Sequence, residues 1–413
     1  MSSEAPAAPA GEHCGIDTIE IARVARLVEA NDEAALARLF SARELADAGE
    51  GPGRAASLAA RFAAKEACLK LFPRETALET IAAADFAVER DAYGAPQVVP
   101  SPVAETVMGR YRIARIALSM SHDATRASAV AVGERAVLEV PAIGRFIYRF
   151  LPFRREVVLE NLRRVYGGRI GEAEIVRIAQ AHYAHLARLL GEFLRFRWLS
   201  PAARKALVRV ENLDEPGGLW ETHARGKGVL ILTGHFGNWE VATIAGVQKY
   251  PEAYGRFHFV RRAIKPRWLE ALVTRRFVRA GFGVLPKRGS LDALCGRLEA
   301  GDLVVFPFDQ HARGRDAVVV DFFGHPAGTF RSLAIIAQAT GAPIMPASSW
   351  RETDGTHVLR FERPLEPIAN EDPRDEVAAV TRACNAALER LVVRHPEQWW
   401  WVHRRWKGAA EQR

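Results

Sequence analysis

The chain has 413 residues, 49% of them hydrophobic and 26% charged, and a formal net charge of +8. The length exceeds what one ordinary hydrophobic core supports, so two domains are expected, and the composition excludes a disordered or fibrous chain. Charge is divided unevenly: residues 1–135 hold 15 Lys/Arg against 19 Asp/Glu, leaving 42 against 30 for the remainder. A basic C-terminal part calls for anionic partners, such as phospholipid headgroups, a phosphorylated glycolipid or an acidic carrier protein. No helix-turn-helix, RNP or finger pattern supports nucleic acid as the partner.

Residues 1–12 are rich in Ala, Pro, Ser and Glu. Without a basic n-region and an apolar h-region they read as a disordered tail, not a signal peptide. No run reaches the 18 or so apolar residues of a membrane-spanning helix. The four cysteines (Cys14, Cys68, Cys295, Cys384) are scattered, with no CxxC pair. They fit a reducing cytoplasm better than a zinc site or a disulfide framework.

A first domain is expected over residues 13–133, with alternating helical and strand-like runs that make an α+β unit. The Arg61–Leu71 segment is helical by its alanine content and its lack of glycine and proline. Glu66 and Lys70, four apart, share a face and form an ordinary helical ion pair by themselves. Asp17 adds a second carboxylate, Ile113–Leu118 and Ala127–Val132 alternate as strands, and His122 closes the run Leu118-Ser119-Met120-Ser121-His122-Asp123.

With Phe40-Ser41-Ala42-Arg43-Glu44-Leu45 and Tyr93-Gly94-Ala95-Pro96-Gln97-Val98, these pieces resemble the holo-acyl-carrier-protein synthases, small trimeric 4'-phosphopantetheinyl transferases. The resemblance spans about 120 residues with its blocks in order. It implies transfer of 4'-phosphopantetheine from coenzyme A to a serine of an acyl carrier protein. Such attack on phosphate needs Mg²⁺ and cationic groups around the phosphate oxygens. By resemblance Asp17 and Glu66 hold the Mg²⁺, Lys70 and Arg61 meet the phosphates, and His122 lies near those of coenzyme A. The resemblance also implies a homotrimer. Asp123 stands where relatives usually carry a hydroxyl residue.

The second domain, 134–413, opens on a short basic amphipathic segment. Ile143, Phe146, Ile147, Phe150 and Leu151 form one helical face, with Arg145 and Arg149 opposite. Such a helix suits a membrane interface or a packed core. With the aromatic, basic tail Trp399–Trp406 it is expected to attach the protein peripherally to anionic membrane, while the Trp399–Trp401 cluster equally suits a buried core. Strand-like runs at Val229–Leu232, Leu303–Phe306 and Ile344–Pro346, separated by helical patterns, predict an α/β sheet with flanking helices.

The segment with most chemistry is Gly234-His235-Phe236-Gly237-Asn238-Trp239-Glu240. Imidazole can take a proton from a hydroxyl near neutral pH, and a carboxylate can hold its tautomer. Residues five apart do not share a helical face. His235 is therefore expected in the turn leaving a strand and Glu240 on the first turn of the next helix, with Gly234 and Gly237 permitting the turn. The spacing alone equally admits a core histidine beside a solvated glutamate.

From about Gly144 to Lys407 the chain resembles the late acyltransferases of lipid A biosynthesis, the lauroyl/myristoyl transferase family. The matching blocks include Arg154-Arg155 with Asn161-Leu162, the His235 motif, Val260-Arg261-Arg262 with Pro266, and Phe306-Pro307-Phe308-Asp309-Gln310. They continue through Asp321–Ala327 and Thr340–Pro343 to Pro396–Trp406. The resemblance implies transfer of a fatty acyl chain from an acyl carrier protein to a glycolipid or other lipid hydroxyl. His235 is then the base, Glu240 its acidic support, and Arg262 and Asp309 substrate-binding residues. Family members usually begin with a membrane anchor, whose place is taken here by the first domain. The leading reading is a bifunctional transferase on the cytoplasmic face of the inner membrane. The alternative keeps only the acyltransferase active, with the first domain a carrier-protein docking module.

Overall fold

A computed structural model describes residues 13–151, 153–261, 267–286, 291–368 and 372–407. The described residues form two compact units, one from 13–138 with 166–174, the other from 139–165 with 175–407.

The first unit contains strands β1 (His13–Glu20), β2 (Phe86–Arg90), β3 (Pro96–Pro100), β4 (Ile113–His122) and β5 (Arg126–Arg135). β1, β5 and β4 form an antiparallel sheet in that order, and β2 pairs with β3. The helix Arg54–Leu69 supplies the core. Its alanines 59, 63 and 67, four apart, are fully buried beside Leu58 and Cys68. Small residues on that face let β1 approach closely: a Cβ at Gly15 would collide with the Ala67 carbonyl oxygen.

The second unit contains β6 (Val208–Glu211), β7 (Val229–Thr233), β8 (Phe257–Arg261), β9 (Gly283–Pro286), β10 (Leu303–Pro307), β11 (Ala317–Phe322), β12 (His325–Phe330), β13 (Ile344–Arg351) and β14 (His357–Phe361). Seven of them make one sheet in the order β6-β14-β13-β7-β10-β8-β9, and β11 pairs separately with β12. β7 lies between β13 and β10, parallel to both. Its residues Val229–Leu232 are all buried, as a strand covered on both faces requires. Paired positions of neighbouring strands point to the same side. Ile231 therefore shares a face with Val305 and Met345, and Ala347 with Phe361. That face carries the apolar core, against the helices Trp239–Lys249 and Arg267–Arg279.

Candidate active site

In open α/β sheets ligands gather at the carboxyl ends of the strands. His235 leaves the end of β7 and Asp309 the end of its neighbour β10. The His235 ring meets Asp309 through Nδ1, 2.9 Å from Oδ1, and its backbone N–H donates to Oδ2 at 2.7 Å. Trp399 Nε1 donates to the same Oδ2 at 2.9 Å. A Cβ at Gly234 would stand 2.9 Å from Oδ2, so glycine is what lets the carboxylate lie against the turn.

The electrostatics follow from burial and pairing. Asp309 is only 4% exposed. Burial pushes its carboxyl up, but the His235 charge and the hydrogen bonds from His235 and Trp399 outweigh it and bring the pKa down to about 2. For His235 burial acts downward, and the Asp309 carboxylate more than reverses it, leaving the imidazole above its usual value. With Nδ1–H donated to Asp309, Nε2 carries the lone pair. The ring is held edge-on to Trp239, with centroids 5.0 Å apart.

The rest of the motif is pinned from behind. Asn238 accepts from the Val241 N–H, capping the helix Trp239–Lys249, and donates to Glu192 at 2.9 Å. Arg351 holds Glu192 through Nε at 2.5 Å and Nη2 at 2.9 Å. Gly237 N–H donates to the Gln398 carbonyl oxygen, tying the turn to the C-terminal segment.

Two expectations about this site need correction. The carboxylate on the His235 ring belongs to Asp309, while Glu240 pairs with Arg276, 3.1 Å away. Glu240 does lie on the first turn of its helix, but that turn presents it to the helix Arg267–Arg279. Asp309, expected at the substrate, is buried behind the ring with both oxygens engaged. Arg262 lies outside the described residues. The aromatic tail is also internal: Trp399, Trp401 and Trp406 are 2%, 0% and 5% exposed, and Arg405 is buried against Thr329 and the Gly328 carbonyl. Trp400, between Trp399 and Trp401, is half-buried, so the tail keeps most of its aromatic area inside. The signal that could have pointed to Asp309 was the block 306–310, an acid just past a fully apolar strand.

His235 opens onto a cavity of about 1440 Å³. Its lining falls into two kinds. Ile231, Phe259, Val305, Ala347, Leu359 and Phe361 come from the core-facing side of the sheet, and Gln310, His311, Arg315, Arg331 and His403 form a polar part. The volume exceeds the roughly 300–1,000 Å³ of an ordinary small-molecule site.

In the first unit Lys70 Nζ contacts Asp17 Oδ1 at 2.8 Å and the Ile16 carbonyl at 2.7 Å. Glu66 is near enough that, after burial, the Asp17 charge is the next cause raising its carboxyl above the usual range. Two carboxylates under mutual repulsion suit a hard divalent cation such as Mg²⁺, which accepts one or two and keeps waters for the rest. Among the described residues no cluster of three or more His, Cys, Asp or Glu side chains is placed to hold a metal. His122 is exposed at the end of β4. Asp123 Oδ1 accepts from the backbone of Thr125 and Arg126 and from the Thr125 hydroxyl, closing the β4–β5 turn. Arg61 departs from expectation. It is 2% exposed, bonded to Ser57 and 3.6 Å from Asp47, leaving no open guanidinium face for phosphate.

Residues 116–408 match the bacterial lipid A biosynthesis acyltransferase family, and residues 13–127 match the 4'-phosphopantetheinyl transferase superfamily. A phosphatidylinositol mannoside acyltransferase of Mycolicibacterium smegmatis is 28% identical over 261 residues, covering 61% of this chain and 79% of that protein. The lipid A biosynthesis palmitoleoyltransferase of Escherichia coli is 25% identical over 268 residues, covering 64% and 82%. A holo-[acyl-carrier-protein] synthase of Anaeromyxobacter dehalogenans is 37% identical over 123 residues, covering 29% of this chain and 93% of that protein. The chain belongs to the bacterial lipid A biosynthesis acyltransferase family and carries, fused to that part, a domain of the 4'-phosphopantetheinyl transferase type.

Proposed function

We propose that the second domain transfers a fatty acyl chain from an acyl carrier protein thioester to a sugar or other lipid hydroxyl, with His235 as general base. The observation that carries this is the His235–Asp309 pair beside a cavity with one apolar and one polar part. The acceptor hydroxyl gives its proton to Nε2 as its oxygen attacks the thioester carbonyl carbon. The imidazolium is stabilised by Asp309, which keeps its own charge. The tetrahedral intermediate then collapses, the C–S bond breaks, and the thiolate takes the proton back from Nε2. Relatives named for phosphatidylinositol mannoside and for lipid A share a sugar-bearing lipid, so a glycolipid is the favoured acceptor class.

For the first domain we propose loading of 4'-phosphopantetheine from coenzyme A onto a carrier-protein serine. Asp17 and Glu66 would hold Mg²⁺, which supplies charge neutralisation at the phosphates, while Lys70 and His122 line the anionic donor. Both domains then handle one class of carrier, and fusion raises its local concentration. Incubation with apo carrier protein, coenzyme A and Mg²⁺ is expected to add one phosphopantetheine by mass spectrometry, and Asp17→Ala/Glu66→Ala to abolish the gain. No mass gain across several carriers leaves the docking-module reading. A homotrimer through this domain is proposed from the resemblance, and the exposed pair Ile16 and Val130, 61% and 37% exposed across β1 and β5, is an apolar spot that such an interface could cover.

Membrane contact is proposed through the helix Ala142–Phe150. Its Gly144 side packs on Gln180 and Ala184, while Ile143, Phe146 and Phe150 are 46%, 52% and 64% exposed. Among the described residues no helix is long and apolar enough to cross a membrane. The four free cysteines accord with the cytoplasmic side of the inner membrane. Phe146→Asp/Phe150→Asp protein is expected to lose flotation with anionic liposomes, and unchanged flotation rules this helix out as the contact.

A further inference from the structure

Gly246 lies inside the helix Trp239–Lys249, well away from its N-terminus. Glycine is the poorest helix former after proline, so its presence here asks for a reason. Steric exclusion by the fold does not supply one. A Cβ at this position would sit 3.4 Å from Leu359 Cδ2 and 3.9 Å from Val210 Cγ2, ordinary van der Waals distances. Alanine fits.

What a larger side chain would meet is the cavity. Leu359 and Val210 both wall it, as does Gly246 itself. Carbons beyond Cβ must therefore enter that space or displace its walls. The cavity follows this helix from Trp239 and Glu240, beside His235, through Thr243, Gly246 and Val247 to Tyr250. At about 1.5 Å per residue the lined stretch is about 16 Å long, and Gly246 stands about 10 Å along it. The facing wall is mainly apolar, with Ile231 and Val305 on the central strands and Ala347, Leu359 and Phe361 on the flanking ones, and its polar members Thr233 and Ser349 lie by the His235 turn. A slot of this length and chemistry, with one end at the proposed base, fits an extended fatty acyl chain.

We propose that Gly246 sets the acyl length this protein accepts, by leaving the slot open beyond its first 10 Å or so. This rests on the acyl-transfer reading of the cavity. A short chain ends before Gly246 and does not sense the position. A long chain passes it, and each methylene it buries beyond that point strengthens binding by up to about fourfold.

The test is binding of free fatty acids from octanoate to palmitate by the intact protein, read from the fluorescence of Trp220 and Trp239, which line the cavity. For the wild type, affinity should rise with length until the chain fills the slot of about 16 Å, near myristate, and then level off. For Gly246→Leu the rise should stop near octanoate, so that palmitate binds at least about tenfold more weakly than to wild type while octanoate is unchanged. Gly246→Ala should fall between the two, with a melting temperature no lower than wild type. Retained octanoate affinity shows that Gly246→Leu is folded. The proposal is overturned if Gly246→Leu follows the wild-type length dependence, if it weakens all lengths equally, or if wild-type affinity does not grow with length. Binding needs neither acceptor nor base. His235→Ala protein should therefore keep the length dependence even if acyl transfer itself were disproved, which separates the two claims.

Discussion

His235→Ala protein is expected to lose acyl transfer by about 10²–10⁴-fold, the usual worth of a positioned general base. The loss should fall on kcat. The ring lines the cavity beside its polar part and the apolar residues remain in place in the variant, so binding of the acyl chain should persist. The pH dependence gives an independent check. The active species is the neutral imidazole, and Asp309 holds the His235 pKa above its usual value. Wild-type activity should therefore climb with rising pH and level off only above the ordinary imidazole range. His235→Ala protein should show only a residual rate without that limb. A variant with wild-type kcat and an unchanged limb would remove His235 from the chemistry.

Asp309→Asn is expected to lower kcat by about 10²–10⁴-fold with little change in shape. The asparagine amide has one acceptor and one donor end, while the site offers three donors: the His235 backbone N–H, its Nδ1–H and Trp399 Nε1–H. If the amide NH₂ faces Nδ1, the ring must take the opposite tautomer, and its Nε2 then carries the hydrogen and cannot act as a base. If it faces the other way, two buried donors confront a third, which costs about 1–3 kcal/mol for each group left unpaired. Loss of the carboxylate charge also lowers the His235 pKa, so the rising limb of the pH profile should shift to lower pH while the plateau falls. A kcat/KM profile recorded with wild type, Asp309→Asn and Glu240→Gln measures this. The geometry places the large effect at Asp309. A larger loss in Glu240→Gln would return the support of His235 to the carboxylate five residues along the chain.

That contrast shows where sequence was sufficient and where it was not. The strand–turn–helix around His235 was legible because glycines, an apolar run and a helix start lie next to one another. The partner of the ring was not, because it comes from 74 residues away. Only the adjacency of β7 and β10 in the sheet brings it there. Spacing along the chain placed Glu240 on a first helical turn but could not say which neighbour that turn faces. The same limit explains Arg61. Its helix was evident from alanine content, yet its burial depends on packing against the residues around Asp47. One turn on, Lys65 drew no notice in the sequence although its ammonium is fully buried, 2.9 Å from Glu44 and 3.0 Å from the Phe86 carbonyl. The aromatic, basic Trp399–Trp406 tail suited a membrane or a core by composition, and tertiary packing turned Trp399 inward, where it holds Asp309. Lys70, expected to share a helical face with Glu66, also meets Asp17 at 2.8 Å, a contact between residues 53 apart that spacing does not reveal.

The most direct measurement is acyl transfer by the purified full chain from a palmitoyl carrier-protein thioester to a panel of glycolipids, including a phosphatidylinositol mannoside and a lipid A precursor, with products read by mass spectrometry. The wild type should convert at least one acceptor to a species heavier by one acyl group, and His235→Ala should make little or none of it. Consumption of the thioester without any acylated lipid, or equal product from both proteins, would contradict a histidine-activated lipid hydroxyl as the nucleophile.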